Sequence, residues 1–384
     1  MARKVVVLGC GLVGATMARD LAADRKLSVT VADVNPANLQ AVAGVRGLAT
    51  AIADLSRPDK VRALIRNADA VVGALPSRFG FATLRTVIES GKPYCDISFM
   101  PEDAMDLDSL ARRRGVTAVV DCGVAPGLAN LAIGYATTVM DEVEEAHYLV
   151  GGLPHRRTWP FEYKAPFAPA DVIEEYTRPA RLKLHGRVVT RPALSDPELF
   201  DFPQVGTLEG ALTDGLRSLL KTVKVPNMFE KTLRYPGHAA LMRIFREVGF
   251  FSKNPIEIGA ARVRPLDVTS ALLFPLWKRL PDESEFTILR VVARGRKGKR
   301  REIHTFDLFD ETDSESGASS MARTTGFPCT ITTRLLVSGD LHLPGVHPPE
   351  VLAREKGYFA HMTRELSRRG VEFTHSIEHR PLDS

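Results

Sequence analysis

Six residues near the start of the chain, Gly9-Cys10-Gly11-Leu12-Val13-Gly14, have the types and spacing to hold a diphosphate. They follow an apolar run that reads as a strand and open a run that reads as a helix, which is the context such a loop requires. Gly9 permits the tight turn, Gly11 lets the backbone approach the phosphates, and Gly14 lets the helix pack closely on the strand. Free backbone N–H groups around Leu12 and Val13, with the positive end of the helix dipole, then supply the attraction. Asp33 stands about 20 residues beyond Gly14, at the end of the next apolar run. A carboxylate there accepts from ribose hydroxyls and repels a 2′-phosphate, and Val34-Asn35 brings no Arg to offset that repulsion. The expected coenzyme is NAD rather than NADP. Asp54, after the third apolar run, is a candidate partner for the adenine amine. Ala74-Leu75-Pro76, after the fourth, is small and apolar enough to pass beneath the nicotinamide ribose, and Ile97, ending the fifth, completes the coenzyme-contacting positions.

These residues need a parallel sheet to bring them to one edge. The first third of the chain alternates short Val- and Ile-rich runs with longer amphipathic stretches, the rhythm of repeated βα units. Strands are expected at 4–8, 28–32, 47–51, 70–74, 93–97 and 118–121. Helices are expected at 13–23, 36–43, 58–66, 81–90 and 101–114, with Ser56 as a helix start before Pro58. The fold class is therefore α/β: a Rossmann dinucleotide-binding domain over 1–123, then a second α/β, mixed-sheet domain over 124–330. Strands are expected in this second part at 143–150 and 229–235, with a loop-like stretch over 151–169. Helices at 319–336, kinked or interrupted by Gly326 and Pro328, and at 348–369 are expected to bring 330–384 back onto the first domain.

Composition narrows the class. With 44% hydrophobic and 25% charged residues, the chain has an ordinary globular balance. The densest basic run, Arg294–Arg301, lies between two strand-like stretches without interleaved aromatics, which suits a solvated hairpin tip better than a nucleic-acid surface. Cys10, Cys95, Cys122 and Cys329 form no CxxC pair, and His155, His185, His375 and His379 have no ligand spacing, so no metal is expected. A strand that begins almost at once leaves no room for a signal peptide, and no apolar run approaches a membrane span. A cytoplasmic enzyme with a small-molecule substrate and neither nucleic-acid nor membrane partner is the expectation.

Longer segments narrow the reading further. VVVLGCGLVGATMARDLA, VTVADVN, DAVVGALPS, YCDIS, AVVDCGVAPGLANLAIGYA, VGGLP, EEYTRPA, EKTLRYPGHA and MARTTGFPC occur in order from residue 5 to about 330. Together they resemble the saccharopine dehydrogenase family, in its short form typified by lysine 6-dehydrogenases. The resemblance implies a Rossmann domain completed by C-terminal helices, and a middle domain that closes over an amino-acid substrate and contributes to a homodimer or higher homo-oligomer. The implied reaction is NAD-dependent oxidative deamination of the lysine 6-amine to 2-aminoadipate 6-semialdehyde. A saccharopine- or carboxynorspermidine-type dehydrogenase is the alternative, and a non-catalytic NAD(H) sensor is an alternative of another class. One departure favours a wider pocket: Ala211 and Leu212 stand where lysine dehydrogenases carry bulkier side chains.

Such a reaction removes hydride from a carbon bearing a neutral amine, whose conjugate acid has a solution pKa near ~10.4, so a proton acceptor must help. Asp121, ending the last Rossmann strand, is one candidate; capping of the helix near Pro126 is its other reading. Asp96, ending the neighbouring strand, is the second candidate. Arg234 suits a substrate carboxylate, because a guanidinium holds both oxygens in plane; an interdomain ion pair is the competing reading. Strand alternation places Thr232 on the same face, with Tyr235 and His238 in support. Arg78 and Phe79 are weaker substrate candidates, and Tyr163 and Lys164 are candidate lid residues.

Overall fold

The structure, a computed structural model, describes residues 2–280 and 283–381. Its contacts divide the chain into two compact units: Met1–Thr138 with Met321–Phe373, and Val139–Ser320 with Thr374–Ser384. The first unit thus runs beyond residue 123 to take in the helix Leu128–Val139 up to Thr138, and ends its C-terminal return at Phe373.

Seven parallel strands build the first unit: β1 (Arg3–Leu8), β2 (Leu27–Asp33), β3 (Leu48–Ile52), β4 (Ala70–Gly73), β5 (Tyr94–Asp96), β6 (Thr117–Val119) and, from far along the chain, β17 (Gly345–His347). Their order is β3-β2-β1-β4-β5-β6-β17. Strands β4, β5 and β6 are buried along their whole length, as expected where helices cover both faces of a parallel sheet. The chain reverses direction across the sheet between β1 and β4, the place where doubly wound sheets open a crevice at their carboxyl edge. The C-terminal return is held by charge as well as packing. Asp20, on the helix Leu12–Ala22, accepts from Arg334 at 2.7 Å, Arg369 at 2.8 Å and Thr330 at 2.6 Å. Burial alone would raise the Asp20 pKa, but the two guanidiniums bring it below the usual carboxylate range.

The second unit is a mixed nine-stranded sheet. Its strands are β7 (Glu142–Pro154), β8 (Ala180–Leu184), β9 (Arg187–Arg191), β10 (Glu198–Phe202), β11 (Gly206–Leu212), β12 (Asn227–Arg234), β15 (Glu285–Lys297), β16 (Arg300–Glu311) and β18 (Phe373–Pro381), with β13 (Ile256–Ile258) and β14 (Ala261–Val263) forming a separate hairpin. The main path runs β10-β11-β12-β7-β15-β16-β18; β7 and β12 are parallel, and β15 is antiparallel to both β7 and β16. The basic run does lie at the tip of the β15–β16 hairpin, where Gly298 takes a positive φ of 56°. Arg294 there pairs with Glu145 at 2.8 Å, and Arg296 with Glu142 and Glu144.

Several local expectations change. Residues 151–154 continue β7 rather than starting a loop, because they pair with β15. The helix Ser320–Ser338 runs through Gly326 and Pro328 without interruption. The segment 348–369 is not one helix: Pro349–Leu352 and Tyr358–Ser367 are separated at Gly357, whose φ of 81° cannot continue a right-handed turn. Ser56 does not cap the helix Pro58–Ile65, since its hydroxyl donates to Asp54 at 2.6 Å. Among the described residues no helix is long and apolar enough to cross a membrane.

Candidate functional site

The glycine loop has the shape its composition requires. Gly9 adopts a φ of 103°, and an added Cβ would overlap the Ala74 carbonyl; a Cβ on Gly14 would overlap the Gly9 carbonyl oxygen. A Cβ on Gly11 would meet nothing within 4 Å, so that side of the loop is open. Leu12, 51% exposed, begins the helix, while Val13 is half-buried behind it. The tight positions and the open one together fit a diphosphate held on backbone amides. Asp33 is tied to this loop: its Oδ2 accepts from Cys10 N–H at 2.8 Å and from the Asn38 amide at 3.3 Å, and its Oδ1 accepts from Asn35 N–H at 2.8 Å. Ionised carboxylate oxygens retain further lone pairs for ribose hydroxyls. Burial and the neighbouring Asp33 charge push the Cys10 thiol up to about 11, which makes it an inert packing group.

Asp54 accepts from both the amide and the hydroxyl of Ser56, shaping the turn after β3. Beside that turn lies a small crevice lined by Leu55, Ser56, Pro58, Val61, Phe79, Ala82, Thr83 and Thr86. Phe79 therefore belongs to this crevice of the first unit, and Arg78 lies over the Phe79 ring at 4.6 Å. Ala74 continues β4 through its N–H to Leu8 O at 2.9 Å, Leu75 and Pro76 lead into the helix Ser77–Glu89, and Ile97 N–H donates to Gly73 O at 3.2 Å.

Two acids meet at the same edge. Asp96 ends β5 and is 0% exposed; Asp121 lies two residues beyond β6 and is 6% exposed. The chain between them is fixed by Cys122 N–H donating to the Asp96 carbonyl at 2.9 Å. Asp121 takes a positive φ of 53°, a conformation that costs a residue with a Cβ. Burial, with the Asp121 charge nearby, pushes the Asp96 carboxyl up to about 6 despite stabilising bonds from Ser98. Gly73 is bare because Tyr94 Oη and Asp96 Oδ1 occupy the place its side chain would take.

In the second unit, Arg234 is already engaged. Its Nε donates to Tyr176 Oη at 2.8 Å, Nη1 to Leu233 O at 2.9 Å and Nη2 to Glu175 at 3.1 Å, and its guanidinium carbon lies 4.6 Å from the Tyr163 ring centroid. Its ion pair is thus made within the second unit, not across domains. Tyr176 Oη passes the chain to His238 Nε2 at 2.9 Å, whose Nδ1 meets Phe161 O at 2.8 Å. Burial and the Arg234 charge hold His238 down to about 3, so it is a neutral link in this relay. Thr232 turns to Thr213 at 2.7 Å, and Thr213 donates to Glu230 at 2.5 Å. Burial raises the Glu230 carboxyl to about 7, against the bonds from Thr213 and Gly215. Thr232 and Arg234 share a face yet serve two networks.

Other expectations are corrected here. Tyr235 is buried, its hydroxyl donating to Pro154 O at 2.8 Å. Tyr163 is a core residue at 3% exposure, and Lys164 binds the carbonyls of Leu276 and Lys278 at the end of a helix, so neither is a lid. Ala211 is buried in the same core. His375 and His379 are not isolated: His375 bonds His304 at 3.0 Å, while His304 and His379 both meet Glu302. Among the described residues no His, Cys, Asp and Glu group is arranged to hold a metal ion.

The strand order, the glycine loop and the acid beside it define a Rossmann-type dinucleotide-binding protein with a second mixed-sheet unit. Residues 5–119 match the saccharopine dehydrogenase NADP binding domain, and residues 123–371 the saccharopine dehydrogenase C-terminal domain. The chain belongs to the saccharopine dehydrogenase family. It is 23% identical over 428 residues to saccharopine dehydrogenase [NADP(+), L-glutamate-forming] of Saccharomyces cerevisiae, covering 91% of this chain and 94% of that protein. Against the enzyme of the same name from Schizosaccharomyces pombe it is 21% identical, covering 90% and 93%. It spans only 22% of the Arabidopsis thaliana alpha-aminoadipic semialdehyde synthase that it matches. The solved apo saccharopine dehydrogenase (L-Glu forming) from Saccharomyces cerevisiae has the same fold, with a TM-score of 0.80 at 19% identity over 98% of this chain and 100% of that one.

Sequence reasoning missed Ser98, Glu175 and Tyr176. Ser98 carried a local signal, an Asp-x-Ser spacing that lets the side chain and amide of the third residue reach the first. Glu175 and Tyr176 lie in the EEYTRPA segment, but nothing local ties them to Arg234, 59 and 58 residues away.

Proposed function

We propose that this protein is an NAD-dependent dehydrogenase acting at the C–N bond of an amino acid, with oxidative deamination of the lysine 6-amine as the first candidate reaction. Its site residues are Gly9, Gly11, Leu12, Val13, Gly14 and Asp33 for the coenzyme, with Asp54, Ala74, Leu75, Pro76 and Ile97 around it. The observation that carries the reading is the Asp33 carboxylate bonded to the amide of Cys10 inside the glycine loop. A 2′-phosphate placed there would face that negative charge, with Val34 and Asn35 beside it rather than a cation. The relatives are named for NADP and the matched domain is described as NADP-binding, so the preference for NAD rests on Asp33 and its neighbours alone.

When bound, the nicotinamide supplies the hydride acceptor. Asp96, whose carboxyl burial pushes up to about 6, takes the proton that the substrate ammonium must lose, and Asp121 beside it makes that proton easier to hold. In the second unit, Arg234 keeps N–H groups beyond those given to Glu175, Tyr176 and Leu233 and is the candidate for binding a carboxylate. Thr232 and Tyr235 keep the strand end that presents it in place through Thr213 and Pro154.

The test is spectrophotometric. NADH formation from NAD with L-lysine at alkaline pH is expected, and Asp96→Asn lowers the rate by roughly 10²-fold or more. NADH oxidation that instead requires an aldehyde together with an amino acid identifies the saccharopine-type alternative. Coenzyme binding without turnover of any amino acid refutes the dehydrogenase reading and leaves the sensor.

The second unit also leaves large apolar side chains exposed. Ile256 and Ile258 on the hairpin, and Leu272 and Leu276 on the helix Pro265–Trp277, are each between 48% and 66% exposed. Two-stranded hairpins are marginal alone in water, and we propose that a second copy of the chain covers this one. Sedimentation should give a dimer or larger, and Leu272→Glu should shift it toward monomer; a wild-type monomer at micromolar concentration refutes this.

A further inference from the structure

The Ser98 hydroxyl lies within hydrogen-bond distance of two oxygens, Leu75 O at 3.0 Å and Asp96 Oδ1 at 2.8 Å. A backbone carbonyl only accepts, and an ionised carboxylate only accepts, while a serine has one proton to give. With the carboxylate ionised the one hydroxyl proton is shared between the two oxygens; each contact has a proton of its own only when the carboxyl is protonated, Asp96 then donating to Ser98 Oγ and Ser98 to Leu75 O. Once Asp96 ionises, Ser98 can turn its proton to the carboxylate, and the Leu75 carbonyl loses its donor. Ser98 N–H, at 2.9 Å from Asp96 Oδ1, holds the two groups in register in both states. The remaining oxygen, Asp96 Oδ2, is buried without a partner, so a full negative charge there is costly. Gly80 is part of the same fit, since an added Cβ would press on the Ser98 Cβ.

We propose that Ser98 is a positioning residue that couples the protonation of Asp96 to the Leu75 carbonyl of the coenzyme loop, so that the bound dinucleotide and the Asp96 proton exclude one another. The inference rests on the reading of 74–76 as coenzyme-contacting. Two contributions act in the same direction for the oxidised coenzyme. The freed Leu75 carbonyl becomes an acceptor for the ligand, and the ionised Asp96 attracts the positive nicotinamide ring. The titratable groups facing Asp96 are Tyr94 and Cys95 from β5, Asp121 after β6, and Cys329 from the helix Ser320–Ser338. Burial keeps Tyr94 and the thiols protonated, leaving Asp121 as the neighbouring charge. Burial pushes Asp96 up to about 6, which places the exchange between weakly acidic and neutral pH.

The sign follows from linkage. Asp96 binds a proton in the free protein below pH ~6 and releases it as NAD binds, so NAD affinity is full above that pH and falls as pH drops, by up to tenfold per unit. The experiment is calorimetric titration of the full chain with NAD and with NADH between pH 5 and 8, in two buffers of different ionisation enthalpy. The expected result is release of up to one proton per NAD below pH ~6, less for NADH, and none at pH 8. Ser98→Ala removes one bond to the carboxylate and the link to Leu75. It should narrow the NAD affinity range across this pH series below that of wild type, because the Leu75 carbonyl no longer responds to the carboxyl. Asp96→Asn should abolish the proton release. Equal proton release in wild type and Asp96→Asn, or a Ser98→Ala affinity range as wide as that of wild type, overturns the proposal. Should Asp96→Asn fold poorly, the absence of buffer-dependent heat in wild type overturns it alone. If no dinucleotide binds at any pH, it is the coenzyme reading itself that has failed.

Discussion

Asp33→Ala is expected to weaken NAD binding by roughly 30- to 100-fold and to erase discrimination against NADP. The magnitude is that of losing charge-assisted hydrogen bonds from the ribose hydroxyls, about 2–3 kcal/mol. Part of the loss is indirect, because the same carboxylate holds Cys10 N–H and Asn35 N–H and so shapes the loop that faces the phosphates. Asp33→Asn separates the two contributions. Its amide oxygen can keep one backbone N–H in place while the negative charge is gone, so NADP affinity should rise more than NAD affinity falls. Fluorescence titration with both reduced coenzymes reads this directly. Unchanged NAD affinity in Asp33→Ala would remove the ribose from this edge of the sheet.

Arg234→Met should destabilise the protein by about 3 kcal/mol, through the Glu175 carboxylate left without its cation and the lost stacking on Tyr163. Urea unfolding of the single variant and of Arg234→Met with Glu175→Gln distinguishes the causes. The double variant should recover about 1–2 kcal/mol, since the uncompensated charge is gone. Substrate binding adds an independent readout. If Arg234 also receives the substrate carboxylate, the single variant raises KM for the amino acid by roughly 10²-fold, while the decarboxylated diamine is unaffected. Equal loss for both substrates would leave Arg234 a purely structural ion pair within the second unit.

What the sequence made legible was local in origin. Gly9 and Gly11 join a strand to the helix whose first turn holds Gly14, and the acid that partners them comes from the very next strand. Backbone sterics impose Gly9 and Gly14, while Gly11 faces open space where a ligand approaches, so their spacing carries the geometry. The carboxyl-edge acids Asp96 and Asp121 were found the same way, by counting strands. Their protonation was not legible, because it depends on burial and on Ser98, whose hydroxyl answers to Leu75 from a different loop. The partners of Arg234 were hidden for a similar reason: Glu175 and Tyr176 reach it only after helix Pro169–Thr177 packs on β12. The lid assigned to Tyr163 and Lys164 failed because a Pro-rich, aromatic stretch can look like a loop while its rings fill a core. Gly357 was passed over inside an amphipathic run, although its positive φ ends the helical path there.

Titrating the purified wild-type chain with NAD and then NADP in a calorimeter at pH 8 tests the central assignment most directly. The arrangement of Asp33 against the glycine loop predicts one site per chain that binds NAD at least tenfold more tightly than NADP. Tighter binding of NADP, or no heat from either dinucleotide, would contradict it.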